Sequence, residues 1–249
     1  MQLLPATLEE MFKNGYSNGL NGSVIKLDDA ISREEAICIV RAMEDIKATK
    51  TIEIGVASGV SALAICYTLH KMGNPDVVHY GVDPNQMTYY GGAAIANLKK
   101  ENLDGIFHLL EGPSHEKTIE LIQKNMTVDF AFIDGWHTFD YTLVDFFLID
   151  KLLRPGGIVA FHDMYGLAKQ KVLRYIKTHR KYEVLEQYLV RGNESFIKTF
   201  KFFIWRIYKK PRLLFSGYHW KYQIRNSSGL LFLRKKEQFE PPFHFYKPF

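Results

Sequence analysis

The chain has 249 residues, of which 47% are hydrophobic, 24% charged and 14% aromatic, a balance that excludes disordered, collagen-like and coiled-coil polypeptides. Its two cysteines, Cys38 and Cys66, are too few for a disulfide framework or a four-thiolate zinc site. The first residues lack the basic start and apolar core of a secretory signal, and no run of 18 apolar residues occurs. We therefore expect a soluble, cytoplasmic protein without a membrane-spanning helix.

The formal net charge of +5 is distributed unevenly along the chain. Residues 195–249 contain twelve Lys and Arg against two Glu, a net charge of +10, and hold 16 of the 35 aromatic residues. Two chemically different regions therefore need separate explanations. We divide the chain into a lead-in at 1–30, a domain at 31–194 and 228–236, a basic aromatic insertion at 195–227 and a tail at 237–249.

The elements follow a regular alternation after an irregular start. Residues 11–28 are rich in Gly, Asn and Ser and predict an irregular segment, and the capping box from Ser32 to Glu35 then predicts a helix to about Lys47. Beyond it, β-rich segments alternate with helical segments. The strands are predicted at 51–55, 77–83, 106–110, 128–134 and 157–163, and the helices near 60–72, 90–102, 114–125, 138–152 and 166–178.

This alternation predicts an α/β fold, because strands joined by helical crossovers pair in parallel and are covered on both faces. Segments 182–190 and 229–235 predict two further strands. The expected architecture is a doubly wound, mostly parallel, seven-stranded Rossmann-like sheet with helices on both faces and a basic aromatic insertion before the last strand. Ligands of such sheets bind beyond the carboxyl ends of the strands, where this sequence places acidic residues.

The first predicted strand runs into a loop with two glycines, Gly55 and Gly59. Their spacing differs from the G-x-G-x-x-G of dinucleotide sites, and no Gly-Lys-Ser/Thr of a phosphate-binding loop follows. The carboxylate of Glu53 would repel a pyrophosphate but suits a cationic ligand. An ordinary turn between a strand and a helix is the alternative.

Asp83 ends the next predicted strand, 24 residues beyond Gly59. A carboxylate at this position can accept both hydroxyls of a ribose, although a turn-forming Asp-Pro explains it equally well. Together the two segments indicate a ligand with a ribose, a positive charge and no phosphate. S-adenosylmethionine fits this description.

The chain resembles class I S-adenosylmethionine-dependent methyltransferases, and more narrowly the catechol-type and macrocin-type O-methyltransferases. The resemblance covers roughly residues 30–190 and the strand at 229–235. It is carried by TIEIGVASGVSAL, YGVDP, LLEGPSHE and FAFIDGWHTFDYTLVDFFLIDKLLRPGGIVAFHD. The last segment is the most specific, with Asp-Gly-x-His after one strand and His-Asp after the next.

The resemblance implies a cofactor site at these strand ends. Glu53 and the backbone of Gly55 and Gly59 would hold the methionine part, Asp83 the ribose, and Ser114 would lie near the adenine. Trp136 would pack against the cofactor, or else is a core aromatic residue. The cofactor-binding residues that the resemblance implies are Glu53, Gly55, Ser58, Gly59, Ser61, Asp83, Ser114, Asp134 and Trp136.

The resemblance also implies a divalent cation held by Asp134, His162 and Asp163, which would bind the substrate oxygens. Two carboxylates suit Mg²⁺, but His162 replaces a carboxylate of the catechol-type enzymes and shifts the preference towards Mn²⁺, Fe²⁺ or Zn²⁺. The alternative is a metal-free site in which Asp163 merely caps the turn into the next helix. His137 takes the place of a lysine that helps to deprotonate the substrate, so the implied catalytic residues are His137 and Asp134. His137 has three other interpretations: a residue that supports the site from behind its ligands, another metal ligand, or a surface histidine.

The expected activity is S-adenosylmethionine-dependent O-methylation, assisted by a divalent metal, of a small-molecule hydroxyl such as that of a sugar or glycosylated product. A nucleic-acid methyltransferase using the basic tail is the main alternative, but the Asn-Pro-Pro-Tyr motif of amino-group methylation is missing. A non-catalytic cofactor-binding or membrane-scaffold protein is another alternative. The glycine spacing disfavours an NAD-linked oxidoreductase.

Residues 195–210 predict a helix, since Phe196, Phe200, Phe203, Ile204 and Ile207 recur at helical spacing among basic residues. Three interpretations of the segment 195–227 remain. The helix contacts an anionic membrane surface or a glycolipid, it binds single-stranded nucleic acid, or it packs on its own domain or on a second subunit in a homo-oligomer.

Overall fold

The computed structural model of the chain describes residues 2–28, 30–189, 196–209, 211–215, 217, 221–222 and 228–249. Its helices are α1 (Ala6–Asn14), α2 (Arg33–Ile46), α3 (Val60–Lys71), α4 (Ala93–Lys100), α5 (Ser114–Gln123), α6 (Phe139–Leu152), α7 (Leu167–His179) and α8 (Phe196–Lys209). Its strands are β1 (Tyr16–Asn18), β2 (Val24–Lys26), β3 (Lys50–Ile54), β4 (Val78–Val82), β5 (Phe107–Leu110), β6 (Val128–Ile133), β7 (Leu153–Phe161), β8 (Tyr182–Val184) and β9 (Leu231–Lys235). None of the helices in these ranges combines the length and the hydropathy that a bilayer crossing requires.

Seven strands form one sheet in the order β5-β4-β3-β6-β7-β9-β8. The five strands from β5 to β7 are parallel, and β9 runs antiparallel to both of its neighbours, β7 and β8. The predicted fold class is confirmed. Strand β3 pairs with β4 on one side and β6 on the other, so the strand order reverses there. The carboxyl ends of the strands beside such a reversal are where α/β sheets bind their ligands.

Two apolar clusters cover the two faces of the sheet, and β6 contributes to both. Phe130 and Phe132 belong to the cluster that includes α1, α2 and α3, while Ala131 and Ile133 belong to the cluster that includes α6 and α7. Successive side chains of a strand point to opposite faces, which explains this division. The central strands are buried on both sides, and their ends are thereby held in fixed relative positions.

The lead-in is more ordered than the sequence predicts. The expectation of an irregular segment at 11–28 is wrong, because α1 ends at Gly15, whose positive φ of 75° closes the helix, and a β1–β2 hairpin follows. The hairpin is held by the Asn97 side-chain amide, which donates to Ser17 Oγ at 2.6 Å, and by the Leu20 amide, which donates to the Gly91 carbonyl at 2.8 Å. Glycine and asparagine therefore form tight turns here.

The last strands also differ from their predicted bounds. The strand expected at 182–190 ends at Val184, and the chain then forms a 3₁₀ helix over Glu186–Tyr188. The Tyr188 hydroxyl donates a hydrogen bond to Asp45. Residues 190 and 195 of the predicted segments lie outside the described residues, as do 210, 216, 218–220 and 223–227 of the insertion. The predicted helix at 195–210 is present as α8, while the domain boundaries remain predictions.

A buried ionic network fastens the antiparallel edge. Asp150 of α6 is 1% exposed and lies 3.1 Å from both the Arg180 guanidinium and the Lys235 ammonium. The Tyr182 hydroxyl donates to the same carboxylate at 2.6 Å, and burial together with this carboxylate raises the pKa of Tyr182. The network joins α6, β8 and β9, since each contributes a partner.

Candidate active site

The loop after β3 depends on its two glycines. Gly55 has φ +88°, and a Cβ at this position would lie 2.3 Å from the Asp134 carbonyl oxygen. Gly59 has φ +86°, and a Cβ there would lie 2.6 Å from Cα of Ala94 at the start of α4. Larger residues would therefore be both strained and blocked. At these two glycines the backbone of the loop lies directly against the end of β6 and the start of α4.

Asp83 holds this loop in place from the end of β4. Its Oδ2 accepts hydrogen bonds from the amides of Val56 at 3.0 Å and Ala57 at 2.8 Å, and its Oδ1 accepts from the Asn85 amide at 2.7 Å. Asp83 is 3% exposed. The predicted ribose contact remains a prediction, and the structure adds a second role, since the carboxylate fixes the backbone of the glycine loop.

Glu53 lies beneath the loop and is completely buried. Its Oε2 accepts from the Ser61 hydroxyl at 2.6 Å, and its Oε1 lies 3.1 Å from Nε2 of His79. Nδ1 of His79 in turn lies 2.9 Å from Oγ1 of Thr51. Both oxygens of Glu53 thus have protein partners, and its direct contact with a cofactor stays a prediction, as do those of Ser61 and the buried Ser58.

Gln86 is a loop partner that sequence reasoning missed. Its side chain is buried, donates to the Ala57 carbonyl at 2.8 Å and accepts from the Ala94 amide at 3.1 Å. It therefore ties the glycine loop to α4. No motif marks this residue, because its role depends on a contact across 29 residues of chain.

Ser114 and Trp136 both have neighbours on α6. Ser114 begins α5 and donates to Oδ1 of Asp145 at 2.5 Å; burial raises the pKa of Asp145 to about 6, and this hydrogen bond opposes the rise. Trp136 is 67% exposed, with its ring centroid 6.4 Å from that of Tyr141. The alternative that Trp136 is a core aromatic residue is wrong, because the short loop after β6 projects it into solvent.

Asp134, His162 and Asp163 converge at the ends of β6 and β7. One potential ligand atom from each lies within 4.8 Å of the others. Nδ1 of His162 is 3.2 Å from Asp134 and 3.5 Å from Asp163. The parallel pairing places them together, since the His162 amide donates to the Ile133 carbonyl. The N-cap of α7 is Gly166, with no side-chain cap hydrogen bond, and the Asp163 carbonyl accepts from the Gly166 amide at 3.1 Å. The metal site and its metal-free alternative both stay predictions.

Two further charged residues complete the cluster, and sequence reasoning missed both. Oε1 of Glu35 lies 3.4 Å from Nε2 of His162, while its Oε2 accepts from the backbone and hydroxyl of Ser32 in the capping box. Lys169 of α7 is 1% exposed, donates to the His162 carbonyl at 3.0 Å and lies 3.9 Å from Asp134. Glu35 has a sequence signal only as a cap, and Lys169 has none.

The charges of the cluster shift one another. Burial lowers the pKa of His162, but hydrogen bonds to three surrounding carboxylates raise it to about 12. Burial raises the pKa of Asp134 and Asp163, yet their histidine contacts lower both, that of Asp163 to about 2. Burial also lowers the pKa of Lys169. A positive charge at the position of His162 is therefore strongly favoured.

His137 lies at the solvent side of the cluster, with 58% of its side chain exposed. Its Nε2 is 3.3 Å from Asp163 and 3.7 Å from Asp134. The structure thus brings together His137, Asp134, His162 and Asp163. The glycine loop adjoins them through the contact between Gly55 and the Asp134 backbone, and Ser114 is bonded to Asp145, whose Oδ2 would lie 3.3 Å from a Cβ at Gly135.

Residues 52–164 match a family model described as a methyltransferase domain. This range is a little less than half of the chain and contains the glycine loop, Asp83, Asp134, His162 and Asp163. Over these residues the chain is similar to methyltransferase domains. The resemblance to methyltransferases inferred from the motifs is thereby confirmed.

The chain is also similar to individual proteins. A flavonoid 3',5'-methyltransferase from Vitis vinifera is 29% identical over 131 residues, which are 51% of this chain and 52% of that protein, so the chain spans about half the length of this relative. The O-methyltransferase TomG from Streptomyces achromogenes, solved with S-adenosylmethionine, superposes with a TM-score of 0.62 at 14% identity over 93% of this chain and 90% of that one. An O-methyltransferase from Bacillus cereus, solved with S-adenosylhomocysteine, has the same score and identity over 93% and 91%. These two likenesses show the fold.

Proposed function

We propose that the protein is an S-adenosylmethionine-dependent O-methyltransferase that acts on a hydroxyl of a small molecule. One observation carries the proposal: the bare backbone at Gly55 touches the end of the strand that bears Asp134, so the cofactor loop and the acidic cluster form one site. The family match over 52–164 supports the reaction type. The name of the Vitis vinifera enzyme and the involvement of TomG in tomaymycin synthesis support a low-molecular-weight acceptor. The sugar preference expected from the sequence stays a prediction.

S-adenosylmethionine supplies a methyl group that is already activated by a positively charged sulfur. We assign the glycine loop to the binding of its methionine part and Asp83 to its ribose. Buried carboxylates near the loop favour a cation over a phosphate-bearing ligand. Trp136, exposed beside the loop, offers a flat surface against which a ring or a chain of the ligand packs.

The donor set at Asp134, His162 and Asp163 fits a divalent cation. Two carboxylates and an imidazole converge, and Nε2 of His162 faces Glu35, which is the carboxylate–histidine arrangement that orients metal ligands. We propose that these residues would hold the cation, and a cation there would lower the pKa of a bound hydroxyl. The imidazole favours Mn²⁺, Fe²⁺ or Zn²⁺ over Mg²⁺.

His137 is assigned the role of proton acceptor. It is exposed at the side of the cluster from which an acceptor hydroxyl approaches, and a histidine can take a proton at neutral pH. Asp163 and Asp134 lie 3.3 and 3.7 Å from its Nε2, so they orient the ring. Proximity and alignment supply most of the remaining acceleration.

Calorimetry with S-adenosylmethionine tests the cofactor assignment. Asp83→Ala is expected to weaken binding by about tenfold or more, because it removes charge-assisted hydrogen bonds worth about 1.5–3 kcal/mol. Asp76→Ala, at an exposed aspartate before β4, is the matched control and should bind as the wild type does. Unchanged affinity in a folded Asp83→Ala variant would contradict the assignment.

Titration with Mn²⁺ alone, followed by electron paramagnetic resonance, tests the metal assignment. The wild type should bind one ion at the cluster, and Asp163→Ala should lose it. Glu35→Gln is expected to weaken binding by about 10–100-fold, since it removes the carboxylate behind the imidazole. Asp140→Ala, at an exposed aspartate in the first turn of α6, is the control. Methyl transfer that survives complete chelation would refute the metal's role.

A further inference from the structure

Helix α8 presents large apolar side chains to solvent. Phe200, Ile204 and Tyr208 are one helical turn apart, and Trp205 lies beside them, so the four share one side of the helix. They are between 46% and 81% exposed. In the 3₁₀ helix over Pro211–Phe215, Phe215 is 89% exposed. An apolar surface of this extent marks a place of interaction.

Basic residues are interleaved with these aromatic ones. Residues 195–227 contain eight Lys and Arg and neither Asp nor Glu. Lys201, Lys209 and Arg212 are exposed, and the Lys209 ammonium lies 5.9 Å from the centre of the Trp205 ring. We call this surface the basic aromatic face, formed by Phe200, Lys201, Ile204, Trp205, Tyr208, Lys209, Arg212 and Phe215.

A cavity of about 350 Å³ opens beside this face, between the 3₁₀ helix and the domain. Its charged lining comes from Lys171, Arg174 and Arg212, and its apolar lining includes Phe139, Leu167 and Phe215. Three cations beside apolar walls suit a ligand that joins an anionic group to an apolar body. A phospholipid has this combination.

We propose that the basic aromatic face binds the surface of an anionic phospholipid membrane and that the cavity accepts an acidic headgroup. Charge complementarity carries the choice of occupant, because a segment of net charge +8 is attracted to anionic lipid and its aromatic side chains enter the headgroup region. The cavity adjoins Phe139 and Leu167, which begin the helices that follow the loops of His137 and Asp163. The membrane therefore lies at the same edge of the sheet as the candidate active site. The inference does not depend on the methyl-transfer activity.

Sedimentation of the full chain with vesicles tests the proposal. Binding is expected to vesicles of phosphatidylcholine with phosphatidylserine, to be much weaker to phosphatidylcholine alone, and to fall with added salt. A basic residue near an anionic surface contributes about fivefold, so the double variant Lys201→Gln/Lys209→Gln should bind about 25-fold more weakly. Lys13→Gln/Lys99→Gln, at exposed lysines of α1 and α4, is the charge-matched control.

The apolar contribution needs a separate pair of variants. Trp205→Ala/Tyr208→Ala should lose about tenfold or more of the binding, since it removes two exposed rings from the face. Phe243→Ala, at a 96% exposed phenylalanine in the tail, should bind as the wild type does. Trp205→Phe should still bind, and the blue shift of wild-type fluorescence on binding should be reduced in this variant.

Three results would overturn the proposal. The first is equal binding to neutral and anionic vesicles. The second is an effect of the Lys201 and Lys209 substitutions no larger than that of the control lysines. The third is a protein that does not bind vesicles but self-associates or binds RNA, and loses that property in Trp205→Ala/Tyr208→Ala. Self-association would assign the face to a second copy of the chain, and RNA binding would assign it to nucleic acid.

Discussion

Asp145 makes the stability of this domain depend on pH in a direction opposite to that of most aspartates. It is 1% exposed, and its pKa rises from 3.8 to about 6, chiefly because burial disfavours the charged carboxylate. The unfolded chain releases this proton near pH 4, whereas the folded chain keeps it until about pH 6. The stabilisation is therefore complete below pH 4 and is lost as the pH rises towards 6. A shift of about 2 pKa units corresponds to about 3 kcal/mol.

Asp145→Asn should remove this loss, because the neutral amide still accepts the hydrogen bond from Ser114. The free energy of unfolding in urea, measured for both proteins from about pH 4 to 8, should show a difference that grows by about 3 kcal/mol in favour of the variant. The change of this difference with pH is the readout, so a constant cost of the amide does not affect it.

Asp129→Asn serves as a control with the opposite sign. Burial raises the pKa of Asp129, but the Arg154 guanidinium and the amides of Thr49 and Lys50 hold it below its ordinary value. This stabilisation is present at neutral pH and is lost as the pH falls, so the variant should be less stable at pH 7 and approach the wild type in acid. A flat difference for Asp145→Asn across the whole pH range would refute the reasoning.

Three further predictions concern packing and burial. Gly59→Ala should lower the unfolding free energy by about 3 kcal/mol and Gly73→Ala by about 1 kcal/mol. Both glycines have a positive φ, but only a Cβ at Gly59 would clash, since a Cβ at Gly73 meets no described atom within 4 Å. Equal losses in urea unfolding would contradict the steric argument. Asp150→Ala should cost about 3–5 kcal/mol by the same measurement, since it leaves two buried cations without their carboxylate. Burial raises the pKa of Cys38 to about 11 and holds that of Cys66 well above its ordinary value, so neither thiol should react with Ellman's reagent until urea is added. Rapid reaction of the native protein would show that they are accessible.

The strand ends were predictable because period and turn chemistry are local. The acidic residues Asp83, Asp134 and Asp163 follow apolar strands, and parallel pairing then places them at one edge without further information. The capping box at Ser32 was equally visible and forms as predicted. The strand order therefore brings these site residues to one edge of the sheet. Their contacts with a cofactor stay predictions.

The remaining contacts depend on tertiary structure that no local pattern encodes. Lys169 looks like any lysine of an amphipathic helix, yet α7 places it beneath His162. Gln86, between β4 and α4 in the chain, bonds the glycine loop and the start of α4, and the Leu20 amide ties the β1–β2 hairpin to the Gly91 carbonyl. Asn and Gly in the lead-in are typical of both irregular loops and tight turns, so composition alone could not separate the two.

One carboxylate oxygen of Glu35 caps the N-terminus of α2, and the other faces the imidazole of His162. The first turn of α2 is therefore in contact with the end of β7, although more than 120 residues separate Glu35 from His162 in the chain. Fraying of that turn would remove one of the three carboxylates around the imidazole and leave the contacts with Asp134 and Asp163 in place. The stability of a distant helix end and the electrostatics of the acidic cluster are in this way coupled through a single side chain.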